Sequence, residues 1–369
     1  MRLGVEAALI GGERIEGDVT IADGMIAQVG VQPAGRAAIA VPGYVDLHIN
    51  GVAGVDFLSA EVADYGRAAE ALAGTGVVAF QPTFVSSPVE AYAAALAAAS
   101  AVAGLRNGGR PMVTGVHLEG PFLSPSWAGA HDPANLRTPD PKLAERLITG
   151  GPVRMMTLAP ELPGGLDLVE RLAGGGIAVS CGHSDADAAM AHAAFAHGAR
   201  AITHLHNAHR RWRPRDPGLG GVALVRPDVS VQAIVDGVHL APESAYAAFL
   251  TAGRRFCLVT DAIEATLLGA GAYELGGRPV NVSDGAARLA DGTLAGSVVT
   301  MDQAVRNLVA SGASLAAAVH AASAAPAALL GRDDLGDLRA GAPAHLTVLD
   351  EELRPVRTLV GGAEAFASG

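Results

Sequence analysis

A single carboxylate stands near the end of an otherwise apolar stretch, GVHLEGPF, which covers residues 115–122. Burying Glu119 there would cost several kcal/mol unless a partner neutralised its charge. His183 and His204 end two later apolar stretches, so the three side chains together offer one oxygen and two nitrogens. Catalytic zinc commonly takes three such ligands and leaves one position open for water. We therefore predict that a divalent ion neutralises Glu119; the alternative is an arginine partner and two hydrogen-bonded core histidines.

Two further residues have the chemistry that hydrolysis beside such an ion needs. Asp261 follows the apolar residues CLVT and would accept a proton from water and return it to a leaving amine. An aspartate here also suits a helix N-cap, which is the alternative role. His131 lies in the loop WAGAHDP, where it would donate to a substrate carbonyl or be an exposed loop histidine. His117 shares a strand face with Glu119 and would orient a ligand.

Arginines cluster in the stretch HNAHRRWRPRDPG, beside the end of an apolar run. In an acidic chain, such a local group of cations indicates an anionic substrate, and the forked donors of arginine suit phosphate. The alternative is a solvated loop whose arginines pair with Asp216 or Asp228. The cluster consists of Arg210, Arg211, Arg213 and Arg215.

Eight apolar stretches, most of them separated by helix-like segments, must position these polar residues. The stretches are GYVDLHIN, VVAFQPTF, MVTGVHLEG, VRMMTLAP, IAVSCGHS, AITHLHN, VSVQAIVDG and RFCLVTDA. The helix-like segments include 61–74, 88–104, 185–198 and 242–253. This alternation is typical of parallel strands covered on both faces. We predict an α/β protein, a (β/α)₈ TIM-like barrel whose strand ends bring the polar residues to one rim. A doubly wound open sheet is the alternative.

Both ends of the chain consist instead of short strand-like runs with tight turns, such as DVTIADGMIAQVG near the N-terminus. We predict one small β-sandwich domain built from residues 1–41 and 335–369. The metal-dependent catalytic barrel would then occupy residues 42–334. A β-rich excursion with turns at Gly276-Gly277 and Asp291-Gly292 follows strand eight.

Composition excludes several classes of function. The net charge of −11 argues against nucleic-acid binding, which favours basic surfaces. Two cysteines form no disulfide framework and fit a reducing cytoplasm. The chain shows no apolar run of signal-peptide or membrane-spanning length. We therefore expect a cytoplasmic protein with no membrane partner.

Taken with these residues, the sequence resembles the amidohydrolase superfamily. The matching stretches are PGYVDLHINGVAGVDF, GVHLEGPFLSP, GAHDP, SCGHSDA, THLHNA, RDPG, DGVHL, LVTDA and DGTLAGS, in the family's order. Within the superfamily they resemble the branch that removes the acetyl group from N-acetylglucosamine 6-phosphate, giving glucosamine 6-phosphate and acetate. The resemblance implies a homodimer that acts on a small phosphorylated amino sugar.

The resemblance also implies a role for each matching residue. Glu119, His183 and His204 would hold one divalent ion per subunit, expected to be Zn²⁺, with Fe²⁺, Mn²⁺ or Co²⁺ as alternatives. Asp261 would be the general base and acid, and His131 would polarise the acetamide carbonyl. Arg215 and His239 would contact the phosphate. The full set of substrate-binding residues would be Ala130, His131, Asn207, Ala208, Arg215, His239, Leu294, Ala295 and Gly296.

Strand one departs from the family pattern, because His48-x-Asn50 combines halves of the two usual pairs, His-x-His and Gln-x-Asn. His48 is therefore the candidate ligand of a second metal site, although we expect one ion. The closest alternative function is deacetylation of another N-acetylhexosamine 6-phosphate, such as N-acetylgalactosamine 6-phosphate. A cyclic-amide hydrolase is weakened because strand four ends in LAP, with no lysine to bridge two metals. The remaining alternative is a metal-free binding or scaffold protein on the same barrel.

Overall fold

The computed structural model describes residues 1–105 and 109–368. Within those ranges, no helix combines the length and the apolar character that crossing a membrane requires. The strands, numbered in chain order, are β1 Ala7–Ile10, β2 Glu13–Glu16, β3 Asp18–Ala22, β4 Met25–Val31, β5 Ile39–Pro42, β6 Tyr44–Ile49, β7 Gly51–Val52, β8 Val55–Asp56, β9 Val77–Val85, β10 Met112–Val113, β11 Val116–Glu119, β12 Val153–Leu158, β13 Ala178–Cys181, β14 Ala201–Ile202, β15 Ser230–Ala233, β16 Phe256–Leu258, β17 Gly271–Leu275, β18 Arg278–Ser283, β19 Ala286–Arg288, β20 Leu346–Leu349, β21 Pro355–Val360 and β22 Ala363–Ala367.

The helices of the same ranges are α1 Val62–Ala73, α2 Val89–Val102, α3 Pro141–Thr149, α4 Gly165–Gly174, α5 Ala188–Ala196, α6 Gly218–Val225, α7 Pro242–Ala252, α8 Met301–Ala310, α9 Leu315–Ala322 and α10 Ala324–Leu329. Helices α1, α2, α5 and α7 correspond to the four predicted helical segments. Side-chain caps begin several helices: Asp140 accepts from the backbone N–H of Lys142 before α3, and Asp187 accepts from that of Met190 before α5.

Eight parallel strands form a barrel in the order β6, β9, β11, β12, β13, β14, β15 and β16. The segment after β16 returns to β6, where the backbone N–H of Asp261 donates to the carbonyl of His48 at 2.7 Å. The Thr260 hydroxyl adds a side-chain link by donating to the buried carboxylate of Asp46 at 2.6 Å. The predicted (β/α)₈ barrel is therefore confirmed, and the open doubly wound sheet is excluded.

The barrel strands appear in the sequence as nearly continuous apolar runs because both of their faces are buried. Every residue of β6, β9 and β11 is buried, because one face packs into the barrel and the other against the helices. The side chains that converge on the opening of the barrel, such as Glu119, lie at the carboxyl ends of the strands, whereas Asp46, Gln81 and His117 are buried polar residues within them.

The two ends of the chain meet in a six-stranded sheet with the order β2, β1, β5, β20, β21, β22. The β3–β4 hairpin packs against this sheet through an apolar core that includes Val19, Ile26, Leu346 and Val348. The predicted β-sandwich from both termini is thus confirmed. The division into residues 1–41 with 335–369 and 42–334 stays a prediction.

Strands β17, β18 and β19 form the β-excursion after strand eight as a separate antiparallel sheet. Its apolar face packs on Val85 and Ile263 at the ends of barrel segments. Gly276, at φ 57°, begins the turn between β17 and β18, and a Cβ there would lie 2.7 Å from a methyl carbon of Val85. Glycine therefore lets this inserted sheet (residues 271–288) approach the rim of the barrel closely.

Candidate active site

Three ligand-type atoms converge at the carboxyl end of the barrel strands. Glu119 is the last residue of β11, and His183 and His204 lie two residues beyond β13 and β14. Oε1 of Glu119 is 3.2 Å from Nε2 of His183 and 3.0 Å from Nε2 of His204. The two imidazole nitrogens are 3.1 Å apart, and all three side chains are buried. The structure thus brings together the three side chains that the sequence predicts as metal ligands.

A backbone carbonyl fixes the orientation of the His183 ring. Nδ1 of His183 lies 2.8 Å from the carbonyl oxygen of Trp127, which can only accept a hydrogen bond, so the proton is on Nδ1. Nε2 then presents its lone pair to Glu119 and His204. A histidine that ligates a metal is typically held by such a bond from its other nitrogen.

The spacing of the donor set fits a divalent ion such as zinc. With metal–nitrogen distances of about 2.0–2.1 Å, ligand atoms around a tetrahedral zinc lie about 3.3 Å apart. The separations of 3.0, 3.1 and 3.2 Å are close to that value. Among the described residues, the ionic partners of Glu119 are imidazoles rather than an arginine, which removes the arginine-paired alternative. These imidazoles belong to His48, His131, His183 and His204.

His48, Glu119 and Asp261 form a second cluster of ligand-type groups. Nε2 of His48 is 3.1 Å from Oδ1 of Asp261 and 3.4 Å from Oε2 of Glu119. Asn50 donates from Nδ2 to the same Oδ1 of Asp261 at 2.6 Å. The first barrel strand, β6, therefore supplies the imidazole of His48, and Asn50 directly after it supplies an amide. Both groups contact the carboxylate of Asp261.

Burial and neighbouring charges act in opposite directions on the pKa values of these groups. Burial opposes ionisation of Glu119, but the surrounding imidazoles, His48 foremost, hold its pKa well below the ordinary value. Asp261 is also buried, yet His48 lowers its pKa. Burial opposes protonation of His48, while the carboxylates of Glu119 and Asp261 raise its pKa well above the ordinary value. Burial lowers the pKa of His131 and of His204. Both carboxyl groups are therefore ionised at neutral pH.

Asp261 lies three residues beyond β16 in a left-handed conformation, with φ 50°. Residues 262–270 form turns and an isolated bridge, with no helix for an aspartate to cap. The N-cap alternative therefore does not hold. The side chain points instead toward Glu119 and toward the cavity that His183 and His204 also line.

His131 is buried, so the exposed-loop alternative is also excluded. Its Nδ1 accepts a hydrogen bond from the backbone N–H of Ser86 at 3.1 Å. A neutral ring in that arrangement carries its proton on Nε2. Nε2 lies 3.4 Å from Oε2 of Glu119 and is therefore a donor beside the metal-type cluster.

A cavity of about 440 Å³ opens in front of these groups. Ala295, one of the predicted substrate-binding residues, is instead fully buried in the apolar core beneath the inserted sheet. The predicted substrate-binding residues that do line the cavity are Ala130, His131, Asn207, Ala208, His239, Leu294 and Gly296.

His239 is held rigidly at the cavity wall by one carboxylate. Its Nδ1 lies 2.7 Å from Oδ2 of Asp236, and Oδ1 of Asp236 accepts the backbone N–H groups of Val238 and His239, each at 2.8 Å. Burial opposes ionisation of Asp236, but the hydrogen bond from His239 lowers its pKa. The Nε2 edge of His239 remains available to a ligand.

The arginine cluster divides between the cavity and the solvent. Arg211 lines the cavity and forms no ion pair with any residue in the described ranges. Arg210 instead pairs with Asp216 at 2.9 Å and with Asp185 at 3.4 Å. Arg215 lies on the exposed turn of this loop and is not part of the cavity lining in the described structure. Its contact with phosphate stays a prediction.

Several groups that hold the site together were not assigned from the sequence. The carboxylate of Glu161 accepts from the Ser184 hydroxyl at 2.7 Å and from the backbone N–H of Asp185 at 2.6 Å, which braces the loop after His183. The only sequence signal for Glu161 is its position just after strand four. The N–H of Ser86 and the carbonyl of Trp127 belong to the backbone, so no side-chain pattern could reveal them.

A closed α/β barrel that carries such a donor set at its strand ends is the architecture of the amidohydrolases. Residues 39–367 match the model of the Amidohydrolase family, and the chain belongs to this family.

Within the family, the similarity extends to particular enzymes. The chain is 40% identical to human N-acetylglucosamine-6-phosphate deacetylase over 343 residues, which cover 88% of this chain and 82% of the human protein. It is 35% identical to the N-acetylgalactosamine-6-phosphate deacetylase of Escherichia coli O157:H7 over 93% of each chain. A solved structure of a Mycobacterium smegmatis N-acetyl-D-glucosamine-6-phosphate deacetylase variant in complex with N-acetyl-D-glucosamine-6-phosphate superposes with a TM-score of 0.93. The two sequences are 35% identical, and the match covers 100% of this chain and 99% of that one.

Proposed function

We propose that the protein hydrolyses the acetamide of N-acetylglucosamine 6-phosphate to glucosamine 6-phosphate and acetate. The observation that carries this proposal is the meeting of Glu119, His183 and His204 with Asp261 and His131 at one cavity. Relatives that carry the name of this deacetylase support the choice of substrate.

Glu119, His183 and His204 are the residues that would hold the metal. A divalent ion supplies Lewis acidity there and lowers the pKa of water toward about 7. We expect one ion per subunit, and we expect it to be zinc. We expect a single ion because Asn50 stands where a second histidine would be needed. The first barrel strand, β6, therefore supplies only His48 to a second metal site.

Asp261 is the proposed general base and acid. Its ionised carboxylate accepts a proton as water attacks the carbonyl carbon of the acetamide. When the carbon–nitrogen bond breaks, Asp261 returns that proton to the amine nitrogen of the leaving sugar. Nδ2 of Asn50 donates a hydrogen bond to Oδ1, and Nε2 of His48 lies 3.1 Å from the same oxygen as an ionic neighbour. They hold the carboxylate in one orientation and leave Oδ2 for the transferred proton.

His131 is the proposed donor to the acetamide oxygen. Because Ser86 occupies Nδ1, the proton on Nε2 can point to the carbonyl and to the negative charge that develops on its oxygen. A preorganised donor of this kind commonly contributes about 3 kcal/mol to transition-state stabilisation.

The phosphate end of the cavity is proposed to lie between the loops that follow β14 and β15. These strands are paired neighbours, so their loops meet at the rim. Arg211 comes from the first loop and His239 from the second, and both line the cavity. Arg211 has no carboxylate partner among the described residues and can give its forked donors to phosphate. Arg215 would join them if its side chain turned inward.

A second candidate substrate is N-acetylgalactosamine 6-phosphate. The relative from Escherichia coli O157:H7 that carries the name of that deacetylase matches almost the full length of the chain. The two sugars differ only in the configuration at C4, so the catalytic groups serve both equally.

Acetate release tests these proposals directly. Purified protein, reconstituted with Zn²⁺, is assayed with both N-acetylhexosamine 6-phosphates and with both unphosphorylated sugars. We expect the highest kcat/KM for N-acetylglucosamine 6-phosphate and far lower values without phosphate. A preference for the galactose epimer would favour the second candidate. Absence of acetate from all four sugars would contradict the deacetylase proposal.

The homodimer and the cytoplasmic location stay predictions. Light scattering after size-exclusion chromatography would test the first, and cell fractionation the second. Elemental analysis of protein purified without added metal would separate zinc from iron, manganese and cobalt.

A further inference from the structure

The inserted sheet makes a specific polar contact with the loop that carries His131. Nη1 of Arg278, the first residue of β18, donates to the carbonyl of Ala130 at 3.0 Å and to the carbonyl of His131 at 3.3 Å. Arg278 is half-buried and pairs with no carboxylate in the described ranges. Its guanidinium therefore makes its hydrogen bonds to the backbone of this loop, while the charge of Asp291 acts on it from a longer distance.

We infer that Arg278 is a positioning residue that acts through His131. The inference rests on the proposed function, because His131 matters only if its Nε2 donates to the reacting carbonyl.

Two independent contacts hold the same loop from the same side. Ala130 packs against the apolar core of the inserted sheet, to which Leu275 and Val280 belong. The turn at Gly276 lies against Val85, next to the residue whose N–H fixes the His131 ring. The inserted sheet thus contacts the loop that carries His131 and the residue next to Ser86.

The geometry explains why a cation is used at this position. Two carbonyl oxygens from consecutive residues accept from one nitrogen, and a charged donor forms stronger hydrogen bonds than a neutral one. Arg278 fixes the backbone of His131, while Ser86 fixes its ring. Together they hold Nε2 at one distance from the cluster. Misplacing a catalytic group by about 1 Å can cost on the order of 100-fold in rate.

A double-mutant cycle separates positioning from a general structural role. Arg278→Met is expected to lower kcat for N-acetylglucosamine 6-phosphate by about 10-fold to 100-fold, with KM changed less than about 3-fold. Arg278→Lys should restore part of kcat, because an ammonium can still donate to one carbonyl. In a His131→Asn background, Arg278→Met should cause no further loss, since the group it positions is already absent.

Two control variants test whether any substitution at an exposed residue lowers kcat. Asn281→Ala alters an exposed residue on the same strand, and Arg171→Met removes an exposed arginine on α4. Both should keep wild-type kcat. Wild-type activity itself tests the proposed function, so an inactive wild-type protein would refute that proposal separately.

The inference about Arg278 is overturned if Arg278→Met keeps wild-type kcat. It is also overturned if that substitution lowers kcat equally with and without His131, or if it changes KM alone. Should Arg278→Met fail to fold by circular dichroism, Arg278→Gln, whose side chain is shorter and uncharged, decides in both backgrounds by the same criteria.

Discussion

Replacing Asp261 by asparagine tests the proposed proton transfer with little change in shape. The amide oxygen can still accept from Asn50, which now donates to Oδ1 at 2.6 Å. Glu119, His183 and His204 are untouched. What is lost is the ability to take a proton from water and return it to the amine. Such a role is worth about 10²–10⁴-fold, and here one residue serves both steps. We therefore expect kcat to fall by at least about 10³-fold, equivalent to about 4 kcal/mol.

The assay for Asp261→Asn combines acetate release with metal content and thermal unfolding. We expect one ion per subunit in both proteins, because Asp261 is outside the proposed ligand set. A drop from two ions to one would instead show that the cluster of His48, Glu119 and Asp261 binds a second metal. Asp228→Asn, at an exposed residue paired with Arg226, is the matched control and should keep full activity.

Turnover of Asp261→Asn within tenfold of wild type would refute the reasoning. Complete loss of metal would refute it as well, because the carboxylate would then be needed for binding rather than for proton transfer. Unchanged metal with a large fall in kcat is the outcome that only the proposed role explains.

Three further predictions concern the metal site, the phosphate contact and the pH dependence. Chelation with dipicolinate should abolish acetate release, and added Zn²⁺ should restore it. The His183→Ala variant should bind too little metal for stoichiometric zinc to restore its activity. Acetate release that survives both chelation and the His183→Ala substitution would contradict a metal role. Arg211→Met should raise KM for the phosphorylated sugar by about 10-fold or more, with kcat nearly constant. The control Arg213→Met, at an exposed residue of the same loop, should leave KM unchanged. Equal increases in KM for the two variants would show that the overall positive charge of the loop matters rather than a specific contact of Arg211. Burial raises the pKa of Asp56 to about 6, so the folded protein binds this proton more tightly than the unfolded chain and loses stability as pH rises from about 4 to about 6. Asp56→Asn should therefore increase the free energy of unfolding at pH 7.5 by on the order of 2 kcal/mol, measured by urea denaturation, and an unchanged or lower value there would contradict this account.

The barrel and the main cluster were predictable because the relevant information is local. Most residues of each barrel strand are apolar, and parallel strands place their carboxyl ends on one rim. Glu119, His183 and His204 therefore had to converge once the strands were assigned. The resemblance to the amidohydrolases supplied the roles of Asp261 and His131, for which the residues alone had left alternatives open.

Contacts that depend on loop conformation were not predictable. Four of the six residues 210–215 are arginines, so the sequence could not show that Arg211 lines the cavity while Arg215 does not. Arg278 meets the His131 loop across 147 residues of chain, through backbone carbonyls that every residue possesses. Ala295 is small enough for a pocket wall, but it packs into the apolar core shared with the inserted sheet.

Backbone strain explains why the geometry of the site could not be read from residue types. His183, His204, Ala208 and Asp261 all have left-handed backbones, with φ of 48°, 28°, 50° and 50°. A non-glycine residue in that region costs on the order of 1 kcal/mol. Of the three residue types here, alanine does not favour it, and aspartate and histidine adopt it only in a minority of cases. Each must be held by its surroundings: Asp261 N–H donates to the His48 carbonyl at 2.7 Å, and the Asp261 carbonyl accepts from Ser297 at 2.8 Å. The sequence pattern predicts which side chains lie at the ends of the strands. The orientation of those side chains depends on left-handed turns, which are stabilised by contacts that form only in the closed barrel.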